Sequence, residues 1–528
     1  MKKFNIAGVC IPDEHYMVDT SDKIKQIEMM IEDGSYFTIN RSRQFGKTTT
    51  ISMIAKYLKD KYVVLKTSFE PTGESLFKDE ETFCSNIFKI IAKDLEYTDE
   101  EFYNKILSYG EGIKGYDELS RRITKMSIDF NKLIVLLIDE VDQASNNAVF
   151  LKFLGVLRSK YMDRNIIPTF KSVILAGVHD IKSLKLLINE QKVITADEAR
   201  EIASDRYNSP WNIAADFEVD MTFNPKEIAT MLVEYEKENK VDMNIEQVSQ
   251  EIYRYTSGYP FLVSKVCKVI DEKLPVESER WGIQGVEQAV KIILKENSTL
   301  FESLIKNLEN DEKLYNEIYD IVIEGRRKIY NLDNQILNKA SMYGIISEDK
   351  NEKVKVHNII FEKRIYNYMI SKRETSIGIE SRYAERNKFV NNGILHMELV
   401  LEKFQELMMQ EYRKKDEDFI EKKGRLIFLA FIKPIINGVG DYFIEPEMRD
   451  SKKMDIVIKY GIEKHIIELK IWHGEKYEER GVEQLLDYMK IQKEETGYMV
   501  VFDFRKEKKE YKNEWIEVEG RRIFEVVV

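Results

Sequence analysis

Cysteine is almost missing from this chain: its 528 residues include three, Cys10, Cys84 and Cys267. They are scattered without paired spacing, which excludes a disulfide framework and a zinc knuckle. Long apolar runs are missing as well. None approaches the ~18 residues of a membrane span. The amino-terminal MKKFNIAGVCIPDEHYMVD meets Pro12, Asp13 and Glu14 before a signal core can form. No membrane partner is expected, and the expected location is the cytoplasm. Nor is there an excess of basic residues: 81 Lys and Arg stand against 92 Asp and Glu, a net charge of −11. That balance suits a soluble protein and excludes a uniformly basic nucleic-acid binder, while leaving local patches open. At about 150 residues per domain the chain holds three or four domains.

What is present is organised around residues 36–57, which read as a strand (YFTIN), a loop (RSRQFGKT) and a helix. The backbone N–H groups of such a loop, with the positive end of the following helix, bind the β- and γ-phosphates of a nucleotide. Lys47 would reach those phosphates and Thr48 would hold Mg²⁺. One element of the usual G-x-x-x-x-G-K-[ST] pattern is lacking, since Arg41 stands where the first glycine belongs. By itself this stretch also suits an ordinary glycine turn leading into a helix. The second half comes later, as NKLIVLLIDE, an apolar run too short for a helix that ends in Asp139 and Glu140. It reads as a buried parallel strand. At such a strand end the first carboxylate holds Mg²⁺ and the second polarises the attacking water.

Around these two pieces the periodicity predicts a helix that Ser21 caps and Gly34 stops, a strand over 61–70, and helices over 81–96 and 118–130. A helix near 149–161 and a strand over 171–176 closed by Gly177 follow. Such alternation specifies a parallel sheet covered on both faces. His179, just past the last strand, reads either as a sensor of the γ-phosphate or as a solvent-facing loop histidine. Asn224 and Pro225 open an all-helical, lid-like stretch. Within it, Gly258 and Pro260 mark a helix break.

Four pieces, RSRQFGKT, LLIDE, SPWN and SGYP, resemble the AAA-like branch of P-loop ATPases, including those related to the STAND signalling ATPases. The resemblance implies an α/β P-loop fold with a helical lid, and ATP and Mg²⁺ as cofactors. It implies a phosphate loop of Arg41, Ser42, Arg43, Gln44, Phe45, Gly46, Lys47, Thr48 and Thr49. In that family an arginine commonly replaces the first loop glycine, and Gly258 and Pro260 would lie near the nucleotide. AAA-type sites are usually completed by an arginine of a neighbouring subunit, so a homo-oligomer on ATP binding is expected, with Arg158 and Arg164 the candidates. STAND-like relatives assemble only when triggered. Residues 344–346 and 353–357, strand-like pieces around a polar turn, suit a winged helix. That module either binds DNA or packs on the nucleotide domain as a switch, and weak basicity favours the switch.

Residues 373–418 read as a helical arm, and from residue 419 the chain starts again with a helix, a three-strand meander, a helix and a strand. Asp455 begins one strand, and Glu468 and Lys470 share a face of the next because strand periodicity is two. Acids and a lysine on apolar strands are costly unless paired or bound to a cation. Asp455, Glu468-Leu-Lys470 and Gln484 on the following helix resemble the PD-(D/E)xK nuclease superfamily, without its proline before the aspartate. The resemblance implies Mg²⁺ on Asp455 and Glu468, Lys470 at the nucleophile or the developing charge, and Gln484 beside them. Its alternative is an ion pair that survives in a sheet. The expected order is an ATPase core (1–220), a lid (221–297), a winged-helix-like segment (298–372), an arm (373–418) and a nuclease-like domain (419–528). Families of bacterial proteins join such parts. The implied function is an ATPase whose nucleotide state controls Mg²⁺-dependent cleavage of nucleic acid, DNA ahead of RNA. The alternative is a nucleotide-switched interaction protein with a non-cleaving last domain.

Overall fold

Every residue of Ile134–Asp139 (β3) is buried, and a strand covered on both faces belongs in the interior of a parallel sheet. It lies there. In the order β1-β4-β3-β2, the strands Phe37–Asn40 (β1), Val63–Ser68 (β2), β3 and Ser172–Gly177 (β4) are all parallel. The computed structural model describes residues 2–69, 74–144, 147–177, 211–275, 280–323, 328–377, 389–391, 393–411, 421–436, 440–444, 456–472, 475–503 and 513–528. His179 and Asp455 lie outside them. The chain divides into two compact units, Met1–Asn307 with Tyr330–Phe361, and Leu308–Ile329 with Glu362–Val528.

In the first unit the sheet is flanked by Ser21–Glu32 (α1), Lys47–Leu58 (α2), Glu80–Ile91 (α3), Glu100–Gly110 (α4), Tyr116–Asp129 (α5) and Ala148–Met162 (α6). Phe69, Phe83, Phe88, Ile138, Phe150 and Phe153 share one buried cluster on the sheet. Some expectations need correcting. Ser21 does not cap α1; Thr20 holds the N-cap position, and the Ser21 N–H donates to Asp19 Oδ1 at 2.9 Å. The helix expected over 81–96 ends at Ile91, and α4, which the periodicity did not reveal, follows. Their starts have a local cause, since Asp79 and Asp99 accept from the N–H groups of Thr82 (2.8 Å) and Phe102 (3.0 Å) as N-caps.

The lid-like stretch forms Pro225–Asn239 (α7), Ile245–Thr256 (α8), Pro260–Lys273 (α9) and Ile283–Lys295 (α10). Asn224 and Glu227 make a reciprocal capping box at α7. Gly258, between α8 and α9, has φ +71°, and a Cβ there would lie 2.1 Å from the Phe223 carbonyl oxygen. Gly258 therefore has a steric task in the fold, reinforced by the bond from Phe223 N–H to its own carbonyl at 2.8 Å. Gly258→Ala should cost about 2–4 kcal/mol, since it combines left-handed strain with a backbone clash. Thermal melting of the purified variant, checked against wild type, measures this loss.

Segment 298–372 is divided between the two units. Residues 330–361, in the first, hold the helix Gln335–Met342 and an antiparallel hairpin of Ile346–Glu348 (β5) and Val354–Val356 (β6). β5 starts two positions later than expected, after Gly344 (φ +68°), which is a turn residue and not part of the strand.

The second unit holds a small hairpin, Val390–Asn391 (β7) with Ile394–Leu395 (β8), and a six-stranded sheet in the order β13-β14-β12-β11-β10-β9. Gly440–Ile444 (β9), Ile456–Tyr460 (β10) and Glu463–Ile471 (β11) form the antiparallel meander, with Thr496–Phe502 (β12) parallel beside β11. Two further strands, Asn513–Val518 (β13) and Arg521–Val527 (β14), were not anticipated. Their signal was present: Glu519 and Gly520 both have positive φ, the two-residue turn that matches strand twist. The helix expected in an arm, Met397–Glu411, instead contributes to this unit's core. Val400, Leu401, Phe404, Leu407 and Met408 are buried, and Gln405 Nε2 donates to the Val527 carbonyl at 2.7 Å. No helix of the described residues is long and apolar enough to cross a membrane.

Candidate functional site

The loop after β1 is shaped by two left-handed residues, Gln44 (φ 58°) and Gly46 (φ 81°), before α2 starts at Lys47. Successive turns of this kind aim backbone N–H groups into one concavity. What calls for glycine at 46 is this φ and not a lack of space, since a Cβ there would make ordinary contact with Pro260 Cβ at 3.8 Å. Lys47 is 6% exposed, and its Nζ donates to the carbonyls of Arg41 (2.8 Å) and Ser42 (3.1 Å). Burial holds its pKa below the usual lysine value, and the carboxylates of Glu140, Asp142 and Asp139 pull the other way.

Those carboxylates come from the end of β3. Asp139 is 2% exposed, and its Oδ1 accepts the Glu140 N–H at 2.9 Å. Glu140 has φ 51°, a sparsely populated conformation for a residue with a side chain, and it turns the chain sharply at the strand end. The sequence reading missed Asp142. It crowds Gly177, the last residue of β4, where a Cβ would lie 2.9 Å from Val141 Cγ2 and 3.0 Å from Asp142 Oδ1. Gly177 is thus part of the strand, and its missing side chain makes room for the acidic turn.

Arg41 does not aim its side chain at the loop concavity. Its guanidinium donates to the carbonyls of Asn40 (2.8 Å) and Val219 (3.2 Å) and stands 5.6 Å from the Phe217 ring centroid. A residue expected among the phosphate ligands thus packs the loop against residues 217–219. Gln44 Nε2 donates to Thr299 Oγ1 at 2.8 Å, and Thr49 Oγ1 accepts the Cys10 N–H at 3.2 Å. Thr48 sits in the first turn of α2, and its carbonyl accepts from Ser52 Oγ. Of the candidate arginines, Arg158 lies on α6, while Arg164 stacks on the Tyr161 ring at 3.7 Å.

Beside the loop opens a cavity of 430 Å³ lined by Gly8 and Cys10 of the amino-terminal segment, by Phe45, Gly46 and Met53, and by Met221, Phe223, Met231 and Pro260. The size suits a small-molecule site, and the lining is mainly apolar. Motif reading could not have found it, because no motif marks Met17, Met53, Met221 and Met231, which converge from four separate stretches.

Tyr259 and His357 flank the loop's outer side. Phe45 meets Tyr259 edge-on with ring centroids 4.8 Å apart, and Tyr259 meets His357 at 5.5 Å. Burial lowers the His357 pKa to about 4; Lys355 adds to the effect and Asp220 opposes it. A depressed histidine pKa means that the unfolded chain binds more protons between pH ~4 and ~6.5, so the stabilisation is complete above ~6.5 and lost as pH falls towards ~4. About 3 kcal/mol should be lost across that window. Melting curves of His357→Asn should have a flatter pH dependence there than wild type.

In the second unit, Glu468 is fully buried in the middle of β11, and Lys470 Nζ lies 2.8 Å from its Oε1. The lysine stem passes Gly481, where a Cβ would approach Lys470 Cγ to 3.1 Å. On the same helix, Glu475–Gln492, Gln484 Nε2 donates to the Tyr488 hydroxyl at 2.7 Å. Asp455 lies outside the described residues, but Ile456, which follows it, is the register partner of Ile467, which precedes Glu468. Among the described residues no group of three or more His, Cys, Asp or Glu side chains is placed to hold a metal.

A parallel sheet with a glycine-lysine loop after β1 and an acidic pair after β3 defines a P-loop ATPase of the AAA-like class. The profile of the AAA-like domain family matches residues 10–364, and the chain belongs to that family. No curated protein matches it. Among solved structures it is similar to the Aeropyrum pernix ORC2 protein in ADPNP–ADP complexes, at 11% identity over 67% of this chain and 93% of that one, with a TM-score of 0.32. It is also similar to the Aeropyrum pernix ORC1 protein in complex with DNA, at 11% identity over 68% and 94%, with a TM-score of 0.30.

Proposed function

We propose that this protein binds and hydrolyses ATP with Mg²⁺ and that its nucleotide state controls a phosphodiesterase site for nucleic acid in the carboxy-terminal unit. The observation that carries the first half is the buried Lys47 inside its own loop, with Asp139, Glu140 and Asp142 acting on its charge. The residues present fit a nucleotide: left-handed Gln44 and Gly46 turn the loop's N–H groups inward, and the 430 Å³ cavity next to Gly46 takes the base. Mg²⁺, when bound, neutralises phosphate charge, and Thr48 and Asp139 are the residues to hold it. Glu140 then orients the attacking water. His179, Gly258 and Pro260 remain the further candidates; Pro260 lines the cavity, whereas Gly258 acts through the fold.

The second half is supported by Glu468 and Lys470, which share one face of a central strand at salt-bridge distance. With Asp455 they would hold Mg²⁺ beside a scissile phosphate, Lys470 neutralising charge as it develops. DNA is the favoured substrate over RNA. One observation favours the rival reading, a nucleotide-switched interaction protein: the Glu468 carboxylate is fully buried and already joined to a lysine, which suits a structural ion pair. Incubation of the purified chain with plasmid DNA, linear DNA and RNA, with Mg²⁺ and with or without ATP, separates the two. Cleavage that depends on Mg²⁺ and changes with ATP supports the nuclease; intact nucleic acid in every mixture favours the rival. Light scattering with a slowly hydrolysed ATP analogue tests self-assembly.

A further inference from the structure

Three consecutive loop carbonyls are each turned onto a donor from the protein. Those of Arg41 and Ser42 accept from Lys47 Nζ, and that of Arg43 accepts from the Tyr259 hydroxyl at 2.6 Å. The same hydroxyl lies 3.0 Å from Ser42 Oγ. A phenol has one proton, and it is committed to the Arg43 carbonyl, so Ser42 donates to the Tyr259 oxygen. Tyr259 thereby fixes both a backbone and a side-chain group of the loop. A loop that turns its N–H groups to an anion must turn its carbonyls away. The Arg43 carbonyl is so held from α9's amino-terminal end, more than two hundred residues along the chain.

We infer that Tyr259 is a positioning residue for the phosphate loop, holding Ser42 and Arg43 in the anion-binding conformation from outside the nucleotide site. The inference rests on the reading of the loop as a nucleotide site. The ring is held in turn: it is 1% exposed, and Phe45, His357 and Phe361 contact it with centroids 4.8, 5.5 and 5.2 Å away. His357 and Phe361 come from the 330–361 segment. Gly344 of that segment has φ +68°, and a Cβ there would lie 2.6 Å from Ser42 Oγ. The Ser42–Tyr259 bond is thus packed on both sides. Burial pushes the Tyr259 pKa up, so the hydroxyl stays a donor at all ordinary pH.

Tyr259→Phe keeps the ring and removes the hydroxyl, leaving the Arg43 carbonyl without this donor. The expected result is a KM for ATP, and a Kd for a fluorescent ADP analogue, raised about tenfold, with kcat within about twofold of wild type. Ser42→Ala removes the weaker of the two bonds and should raise KM by about twofold to threefold. A merely structural role would lower the folded fraction, and so kcat, with KM unchanged; that result overturns the inference. Nucleotide binding that is lost in Lys47→Ala but unaltered in Tyr259→Phe also overturns it, while leaving the nucleotide-site reading standing. If wild type binds no nucleotide, both fall.

Discussion

Lys47→Ala should abolish ATP binding, and Glu140→Gln should preserve binding while lowering kcat by about 10²–10⁴-fold. The difference follows from when each group acts. Lys47 is buried among loop carbonyls, and on the proposed reading its charge would act on phosphates already present in the ground state, so its loss should remove binding. The truncation also leaves the Arg41 and Ser42 carbonyls without their Nζ donor, which disturbs the loop from within. Glu140 sits one residue past Asp139 in a strained turn, and on the proposed reading it would act on the water as the bond breaks. Its isosteric amide keeps shape and loses basicity, so kcat falls with KM little changed. Titration with a fluorescent ATP analogue and a phosphate-release assay measure the two effects. Equal turnover by wild type and Glu140→Gln would remove Glu140 from the mechanism.

Lys470→Ala should destabilise the carboxy-terminal unit by about 3–5 kcal/mol in metal-free buffer, because the fully buried Glu468 loses the ammonium that lies 2.8 Å from its Oε1. Added Mg²⁺ or Mn²⁺ should recover part of that loss by replacing one cation with another, while cleavage stays abolished. Asp455→Asn should act differently: on the nuclease reading it would remove one anionic ligand, and with it both a metal-dependent rise in melting temperature and any nuclease activity. Melting curves of the full chain with and without metal, alongside the cleavage assay, separate the two variants. If metal leaves wild-type melting unchanged and Asp455→Asn cleaves like wild type, the Glu468–Lys470 pair is structural and the switch reading stands.

Several parts of the fold were legible because they depend on local pattern. The apolar run 134–139 declared a strand buried on both faces, and alternation in the carboxy-terminal meander placed Glu468 and Lys470 on one face. Other parts failed for local reasons that can be named. Helix α4 carries a local signal that was passed over, Asp99 ahead of EEFYNKILSYG, although Ile106 and Tyr109 alone are buried in it. The β13–β14 hairpin was passed over because its turn is Glu-Gly and not the more familiar Asn-Gly.

By itself the sequence determined the types of the strongly patterned elements, the faces they bury, and the chemistry at hand: a lysine after a glycine turn, an acidic pair at a strand end, an acid and a lysine two residues apart. Periodicity and turn chemistry act over a few residues and need no knowledge of neighbours. Tertiary structure decided which of these groups meet. It turned Arg41 away onto Phe217 and Val219, set Gly258 against the Phe223 backbone, and brought Tyr259 to the Arg43 carbonyl. It also built the cavity beside Gly46 from the amino-terminal segment and the lid-like helices. Contacts between residues hundreds of positions apart arise from the packing of whole elements, and no local pattern encodes which element will face which.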